Sequence, residues 1–181
     1  MTEPDDSRRF TEIYHAHHRQ VYAYAVSRAG RDLADDIVAD TFLVVWRRLD
    51  AVPPAAQPWL LGVARNVIRE RYRSEVRQAS IAAELRAWTT DATRDFADGV
   101  ADRAALLAAL GRLDDSDREL LTLVAWQGLT TREAARVVGC SAATYLVRLH
   151  RARKRLAQAL TATAKAPRHL PRTLAIEEPH R

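Results

Sequence analysis

The sequence has little cysteine, glycine or aromatic content, and it lacks long apolar runs. Its single cysteine, Cys140, excludes an internal disulfide framework. Six glycines and 7% aromatic residues disfavour a sheet-rich sandwich or barrel. No apolar run approaches the roughly 20 residues that a membrane-spanning helix needs, and the acidic start of the chain, Met1 to Asp6, is unlike a signal peptide. We therefore expect a helical protein, without a membrane span, in the reducing cytoplasm.

The chain carries a formal net charge of +5, so its surface should attract polyanions such as nucleic acid or acidic lipid. Arginine supplies nearly all of the positive charge, since Lys154 and Lys165 are the only lysines. The planar guanidinium group suits phosphates and guanine edges better than an ammonium group does. The codon usage of a GC-rich genome would give the same excess of arginine, so the bias alone does not decide between the two explanations.

Apolar periodicity predicts three helices in the first part of the chain, which we call lobe one (residues 7–77). The first helix extends from Ser7 to Ala29 and ends at Gly30. The second extends from about Asp32 to Leu49, and the third begins near Pro58, a residue favoured in a first helical turn. The third helix is predicted to bury Leu60, Leu61, Ala64, Val67, Ile68 and Tyr72.

A second set of helices is predicted over residues 102–160, which we call lobe two. Its first helix starts at Asp102 and its second spans about Asp117 to Gln127. The apolar pattern of these two helices comprises Leu106, Leu107, Leu110, Leu113, Leu120, Leu121, Leu123, Val124 and Trp126. The fold class is therefore all-α, with two small helical domains.

Residues 78–101 have a weaker pattern and a locally acidic composition, which favours a linker containing some helix. A packed hairpin is the alternative, because Ile81, Leu85 and Trp88 keep a helical spacing. The proline-containing tail, residues 161–181, is predicted to be unstructured.

The end of lobe two has the pattern of a helix-turn-helix. Thr130 and Glu133 fit a capping box before a short helix that ends at Val138. Gly139 allows a left-handed turn, and Ser141 is placed to cap a longer helix that extends to about Leu160. That helix is predicted to expose a cationic surface to DNA, comprising Arg148, His150, Arg151, Arg153, Lys154 and Arg155.

Catalytic and metal-binding patterns are weak. His15 and His18 have a usable helical spacing, but no third ligand lies near them in the sequence. A nucleophile with a base, a phosphate-binding glycine loop and clustered metal ligands are all lacking at a workable spacing. We therefore expect no enzymatic activity, no cofactor and no metal.

Four segments resemble the extracytoplasmic-function (ECF) subfamily of sigma-70 RNA polymerase sigma factors. Residues 34–49 (ADDIVADTFLVVWRRL) resemble region 2.2, and residues 58–68 (PWLLGVARNVI) resemble regions 2.3 and 2.4. Residues 128–141 (GLTTREAARVVGCS) and 148–156 (RLHRARKRL) resemble region 4.2. The resemblance that these segments mark extends over most of residues 10–156.

The resemblance implies a transcription factor that directs core RNA polymerase to promoter DNA. The polymerase-binding residues that it implies on the second helix are Asp35, Asp36, Asp40, Phe42, Trp46 and Arg47. Those implied at the melted minus 10 element are Trp59, Arg65, Asn66, Arg69 and Arg73, although Trp59 fits a core position equally well. At the minus 35 element Thr131, Ser141 and Thr144 are implied beside the cationic residues of the last helix.

Two further expectations follow from the resemblance. An anti-sigma factor is a habitual partner in this family, and the acidic linker would extend into the polymerase. The chain departs from the family at Leu146 and Val147, where Lys and Ser are usual, which removes a phosphate or base contact. The alternative function is a helix-turn-helix regulator that acts without binding core polymerase, and the acidic face of the second helix distinguishes the two.

Overall fold

The computed structural model describes residues 3–82 and 100–165. These two ranges contain seven α-helices, one short 3-10 helix at Leu49–Ala51 and no strand, so the predicted all-α fold is confirmed. The helices are α1 (Glu3–Ala29), α2 (Ala34–Arg47), α3 (Ala56–Ala82), α4 (Val100–Gly111), α5 (Asp115–Ala125), α6 (Thr131–Val138) and α7 (Ala142–Lys165). Helices α1 to α3 form lobe one and α4 to α7 form lobe two. Because α3 continues to Ala82 and α4 starts at Val100, both ends of the segment predicted as a linker, residues 78–101, are helical.

Two helices have bounds that differ from those predicted. Helix α5 starts earlier than expected because Asp114 is its N-cap, and the Asp114 carboxylate accepts a hydrogen bond from the Asp117 amide at 2.7 Å. Helix α7 continues beyond the predicted end at Leu160 to Lys165, so the start of the predicted tail is helical. The remaining linker and tail predictions concern residues 83–99 and 166–181, which lie outside the described residues.

The turn between α6 and α7 is built as the sequence predicts. The Thr130 hydroxyl accepts from the Glu133 amide at 3.3 Å, and the Glu133 carboxylate accepts from the Thr130 amide at 2.8 Å. Gly139 has a φ of 75°, where a side chain would be strained. The Ser141 hydroxyl then accepts from the Thr144 amide at 3.1 Å at the start of α7. These contacts fix the orientation of α7 relative to α6.

Lobe one packs the apolar stripes of its three helices into one core. Helix α1 supplies Val21, Tyr24 and Ala25, all nearly inaccessible to solvent. Buried residues of α2 and most of the predicted α3 stripe join the same cluster. Tyr72 is an exception, because 41% of it is exposed and its hydroxyl reaches the Arg28 carbonyl instead of the core. The rest of the predicted α3 stripe is buried or packs against the core.

Lobe two packs α7 against α4, α5 and α6. Tyr145 is fully buried, and its hydroxyl donates to the Leu120 carbonyl at 2.7 Å. Burial raises the pKa of Tyr145, so the hydroxyl keeps its proton and remains a donor. Not every apolar residue in this lobe is internal: Leu106, Leu107 and Trp126 are exposed, and Ala109 takes the inward position on α4. Their exposure corrects the inward placement that periodicity predicts.

The two lobes contact each other along α3 and α6, and their buried residues form one continuous apolar cluster. This arrangement places Glu119 of α5 against α1 and α3, where it meets Arg65, a side chain expected at the minus 10 element.

Candidate nucleic-acid interface

The outer face of α2 combines acidic and apolar side chains. Asp35 and Asp36 are exposed, and Leu43 and Trp46 leave 46% and 45% of their surface to solvent beside exposed Arg47. Phe42 is different, because it is 4% exposed and packs against Tyr14 with ring centroids 4.7 Å apart. Phe42 therefore supports this face from the core rather than forming part of its surface.

Arg71 of α3, which sequence reasoning missed, binds two carboxylates of α2. Its Nη2 lies 2.5 Å from Asp40 Oδ2, and its Nη1 lies 3.2 Å from Asp36 Oδ2. The hydrogen bond to Asp40 is the main cause of a raised Arg71 pKa, to which both negative charges contribute. Asp35 is exposed and takes no part in this network.

The residues predicted for the minus 10 element occupy different environments along α3. Trp59 is half-buried and packs against the core, as its alternative interpretation predicts. Asn66 and Arg69 are exposed. Arg73 is exposed as well, and its Nη1 lies 3.7 Å from Glu70 Oε2. Asn66 and Arg69 therefore present hydrogen-bonding groups to solvent from one side of the helix.

Arg65 belongs instead to a buried cluster around Glu119 of α5. Glu119 is 3% exposed, and its Oε1 accepts from Arg65 Nε at 2.8 Å and from the Tyr24 hydroxyl at 2.6 Å. Arg28 completes the cluster, with its Nη2 4.0 Å from Glu119 Oε2. One carboxylate of lobe two thus joins three side chains of lobe one.

Burial and the charge of Glu119 shift the pKa values of the groups bound to it. Burial, the negative charge of Glu119 and the hydrogen bond to it raise the pKa of Tyr24 well above its ordinary value, so Tyr24 remains a donor. Burial of Arg65 acts to lower its pKa, but the hydrogen bond and charge of Glu119 outweigh that effect and raise it. A buried carboxylate requires such partners, because an unpaired charge away from water is costly.

Polar contacts on either side extend the junction between the lobes. Arg28 Nη1 donates to the Asp115 carbonyl at 2.8 Å, and Gln57 Nε2 donates to the Gln127 carbonyl at 2.9 Å. Gln127 is itself buried, and its amide donates to the Gln20 carbonyl at 3.4 Å. The lobes are therefore joined by specific hydrogen bonds as well as by apolar packing.

The cationic side chains of α7 divide into two groups. Arg148 donates to the Ser116 hydroxyl at 2.5 Å, and Arg155 binds the buried carboxylate of Asp117, a contact that raises the Arg155 pKa. His150, Arg151, Arg153 and Lys154 are exposed. The first group fastens α7 to α5, and the second is available to a polyanion.

The turn residues predicted for the minus 35 element lie near the start of α7. Thr144 and Ser141 are exposed, with their hydroxyl oxygens 2.8 Å apart, and Thr131 is half-buried at the start of α6. Ser141 and Thr144 thus lie at the end of α7 that a helix-turn-helix protein inserts into the major groove, whereas Thr131 lies on α6.

Two histidines of α1 pack against an aromatic ring. His18 lies 4.9 Å from the Tyr14 ring by centroid distance, and His15 lies 5.9 Å from the same ring. Within residues 3–82 and 100–165 there is no group of three or more metal-binding side chains, and no helix is both long and apolar enough to cross a membrane.

Each lobe matches the sequence model of a known protein family. The model of "Sigma-70 region 2" matches residues 13–78, and that of "Sigma-70, region 4" matches residues 103–156. The ECF RNA polymerase sigma factor EcfG of Rhodopseudomonas palustris is 32% identical over 141 residues, which are 76% of this chain and 77% of EcfG. The chain belongs to the ECF sigma factors of the sigma-70 family.

Other relatives agree with this assignment of the sigma factor. CnrH of Cupriavidus metallidurans is 32% identical over 148 residues, covering 72% of this chain and 75% of CnrH. Among solved structures, RpoE in complex with the anti-sigma factor NepR from Bartonella quintana is 26% identical, with a TM-score of 0.72 over 84% of this chain and 96% of RpoE. CnrH in complex with the cytosolic domain of CnrY is 28% identical, with a TM-score of 0.59 over 86% and 90% of the two chains.

Proposed function

We propose that this sigma factor brings core RNA polymerase to specific promoters, where lobe one melts the minus 10 element and lobe two binds the minus 35 element. The observation that carries the proposal is the presence of region 2 and region 4 in order on one chain. As a transcription initiation factor it would act where the polymerase acts, in the cytoplasm, and without catalytic activity of its own.

Core polymerase would bind the outer face of α2. Asp35 and Arg47 offer exposed charges there, and Trp46 offers a half-exposed ring, a residue type that is enriched in the central part of protein interfaces. Asp36 and Asp40 would contribute through the geometry that Arg71 imposes on them.

At the minus 10 element, the exposed Asn66 and Arg69 of α3 are suited to the polar edges and backbone of an unpaired strand. Arg73, exposed one turn further along α3, would add a phosphate contact. Arg65 would join them only after Glu119 releases it, because the carboxylate occupies its guanidinium group in this structure.

At the minus 35 element, α7 would enter the major groove with its first turns, and Thr131, Ser141 and Thr144 would fix its position on the backbone. Arg151, Arg153 and Lys154 would neutralise phosphates.

An anti-sigma factor is proposed as a further partner. RpoE of Bartonella quintana is described in complex with the anti-sigma factor NepR, and CnrH with the cytosolic domain of CnrY. Because this chain shares the fold of both at 26% and 28% identity, a protein of that class is expected to bind it.

The decisive experiment is reconstitution with core polymerase on promoters mapped from transcription start sites after overexpression. Run-off transcripts that depend on this protein are expected, whereas a helix-turn-helix regulator would bind the DNA and give none. Asp35→Lys should weaken binding to core polymerase, because it reverses an exposed charge on α2. Glu12→Lys reverses the charge of an exposed side chain on α1 and is the control. Absence of transcripts despite an active core enzyme would refute the proposal.

A further inference from the structure

Two neighbouring apolar residues are exposed near the start of α7. Leu146 is 53% exposed and Val147 is 52% exposed, on a helix whose buried side is formed by Tyr145, Leu149 and Ala152. A single exposed apolar residue on a protein surface needs no explanation. An adjacent pair, in the second turn of a helix placed to read DNA, calls for one.

The helical positions show where these residues point. At 100° per residue, Val147 lies opposite the buried stripe, in one row with Ala143, His150 and Lys154, which are all exposed. Leu146 lies beside this row. In a helix-turn-helix, the first turns on this side approach the base edges, and the later turns lie over the backbone. Ala143, Leu146 and Val147 therefore form an apolar patch at the base-reading end of α7.

Charge identifies the partner of this patch. The turns that follow carry His150, Arg151, Arg153 and Lys154, all exposed, so the apolar patch adjoins a strongly cationic surface. A polyanion fits that surround, whereas an apolar protein surface would leave the cations without partners. Among the base edges of the major groove, the one apolar group is the C5-methyl group of thymine.

We propose, as a refinement of the function above, that Leu146 and Val147 read thymine methyl groups in the minus 35 element. The base specificity of this sigma factor would then arise partly from apolar contacts, and its minus 35 sequence would contain A·T pairs opposite the start of α7. This inference depends on the proposed promoter binding by lobe two.

The test begins with holoenzyme made from the full chain and core polymerase. Randomised promoter duplexes are selected for binding, and each thymine in the selected minus 35 element is replaced in turn by uracil, which lacks only the methyl group. One or more replacements should weaken binding roughly fourfold, as expected for a buried methyl group. If Val147 contacts the methyl group in question, the same uracil replacement should leave DNA binding by the Val147→Ser holoenzyme unchanged. If Leu146 contacts it, the Leu146→Ser holoenzyme should be the insensitive one.

Two variants serve as controls. Leu107→Ser removes an apolar residue of 55% exposure on α4, so it should retain the wild-type ratio of thymine to uracil affinities. Arg151→Ala should weaken binding to both duplexes equally, since phosphates are the same in each.

The outcomes separate the two proposals. Selective promoter binding that is insensitive to every uracil replacement would overturn the methyl-reading inference and leave the proposed function intact. A methyl effect that persists in both serine variants would overturn the assignment to Leu146 and Val147. Failure of the holoenzyme to select any sequence would overturn the proposed function together with the inference.

Discussion

Replacing Glu119 by Ala should destabilise the protein more than any other single change of an ionisable residue between the lobes. The substitution removes the acceptor of the Tyr24 hydroxyl, which is fully buried, and the carboxylate that pairs with Arg65 and lies near Arg28. Removing one partner of a buried ion pair typically costs about 3–5 kcal/mol. The Arg65 and Arg28 side chains retain 21% and 17% exposure, so water can solvate them in part.

That residual solvation favours the low end of the range, so we expect a loss of about 3 kcal/mol in the free energy of unfolding. For a protein of this size the corresponding fall in melting temperature is roughly 6–12 °C. Glu119→Gln should cost less than Glu119→Ala, because the amide oxygen can still accept from Tyr24. Urea unfolding and scanning calorimetry measure the loss, and small-angle scattering measures the separation of the lobes.

Asp117→Asn provides the matched control. Asp117 is a buried carboxylate on the same helix, but it pairs with Arg155 inside lobe two rather than across the junction. Its substitution should leave the scattering profile of the folded protein unchanged, whereas Glu119→Ala should increase the radius of gyration. A Glu119→Ala protein within 0.5 kcal/mol of wild type would refute the reasoning, since ordinary surface substitutions have effects of about that size.

Three other predictions concern pH, backbone geometry and salt. Burial lowers the pKa of His17 below its ordinary value of 6.5, so the unfolded chain binds the proton more readily. The free energy of unfolding therefore keeps the full contribution of neutral His17 above pH 6.5 and loses it as the pH falls below that value. His17→Gln should flatten this part of the stability profile, and an unchanged slope would contradict the assignment. Gly139→Ala should lower the free energy of unfolding by about 1–2 kcal/mol, because φ is 75° at this residue. Gly62→Ala, inside α3, should not destabilise the protein and is the control. Equal melting temperatures for the two variants would contradict this prediction. Arg151→Ala should lower the slope of log affinity against log salt by about one for promoter binding by the holoenzyme, and an unchanged slope would exclude a phosphate contact at that residue.

Local rules in the sequence account for much of the fold. The capping box of Thr130 and Glu133 and the left-handed Gly139 each depend on residues close together in the chain, and the structure confirms both. The exposure of Leu107 could not be predicted in the same way, because on an alanine-rich helix the apolar stripe is ambiguous and tertiary packing selects Ala109 instead.

The candidate site was predictable only in part. Exposed residues such as Asn66 and Arg151 follow from helical position, since each lies away from an apolar stripe. The Glu119 cluster does not, because its members come from three helices distant in sequence, and each is compatible with a solvated surface when taken alone. The interaction of Arg71 with α2 is missed for the same reason, although the acidic repeat of α2 indicates that a cationic partner was needed.

If Arg65 contacts the melted strand as proposed, DNA melting and the contact between the lobes would compete for its guanidinium group. While Glu119 holds that group, an unpaired base cannot use it, and a strand that captures it removes a partner from the carboxylate. Thermodynamic reciprocity then requires that binding of the strand weaken the contact between the lobes by the same factor by which that contact weakens binding of the strand. Separation of the two lobes and melting of the promoter would thus be thermodynamically coupled, so that each favours the other.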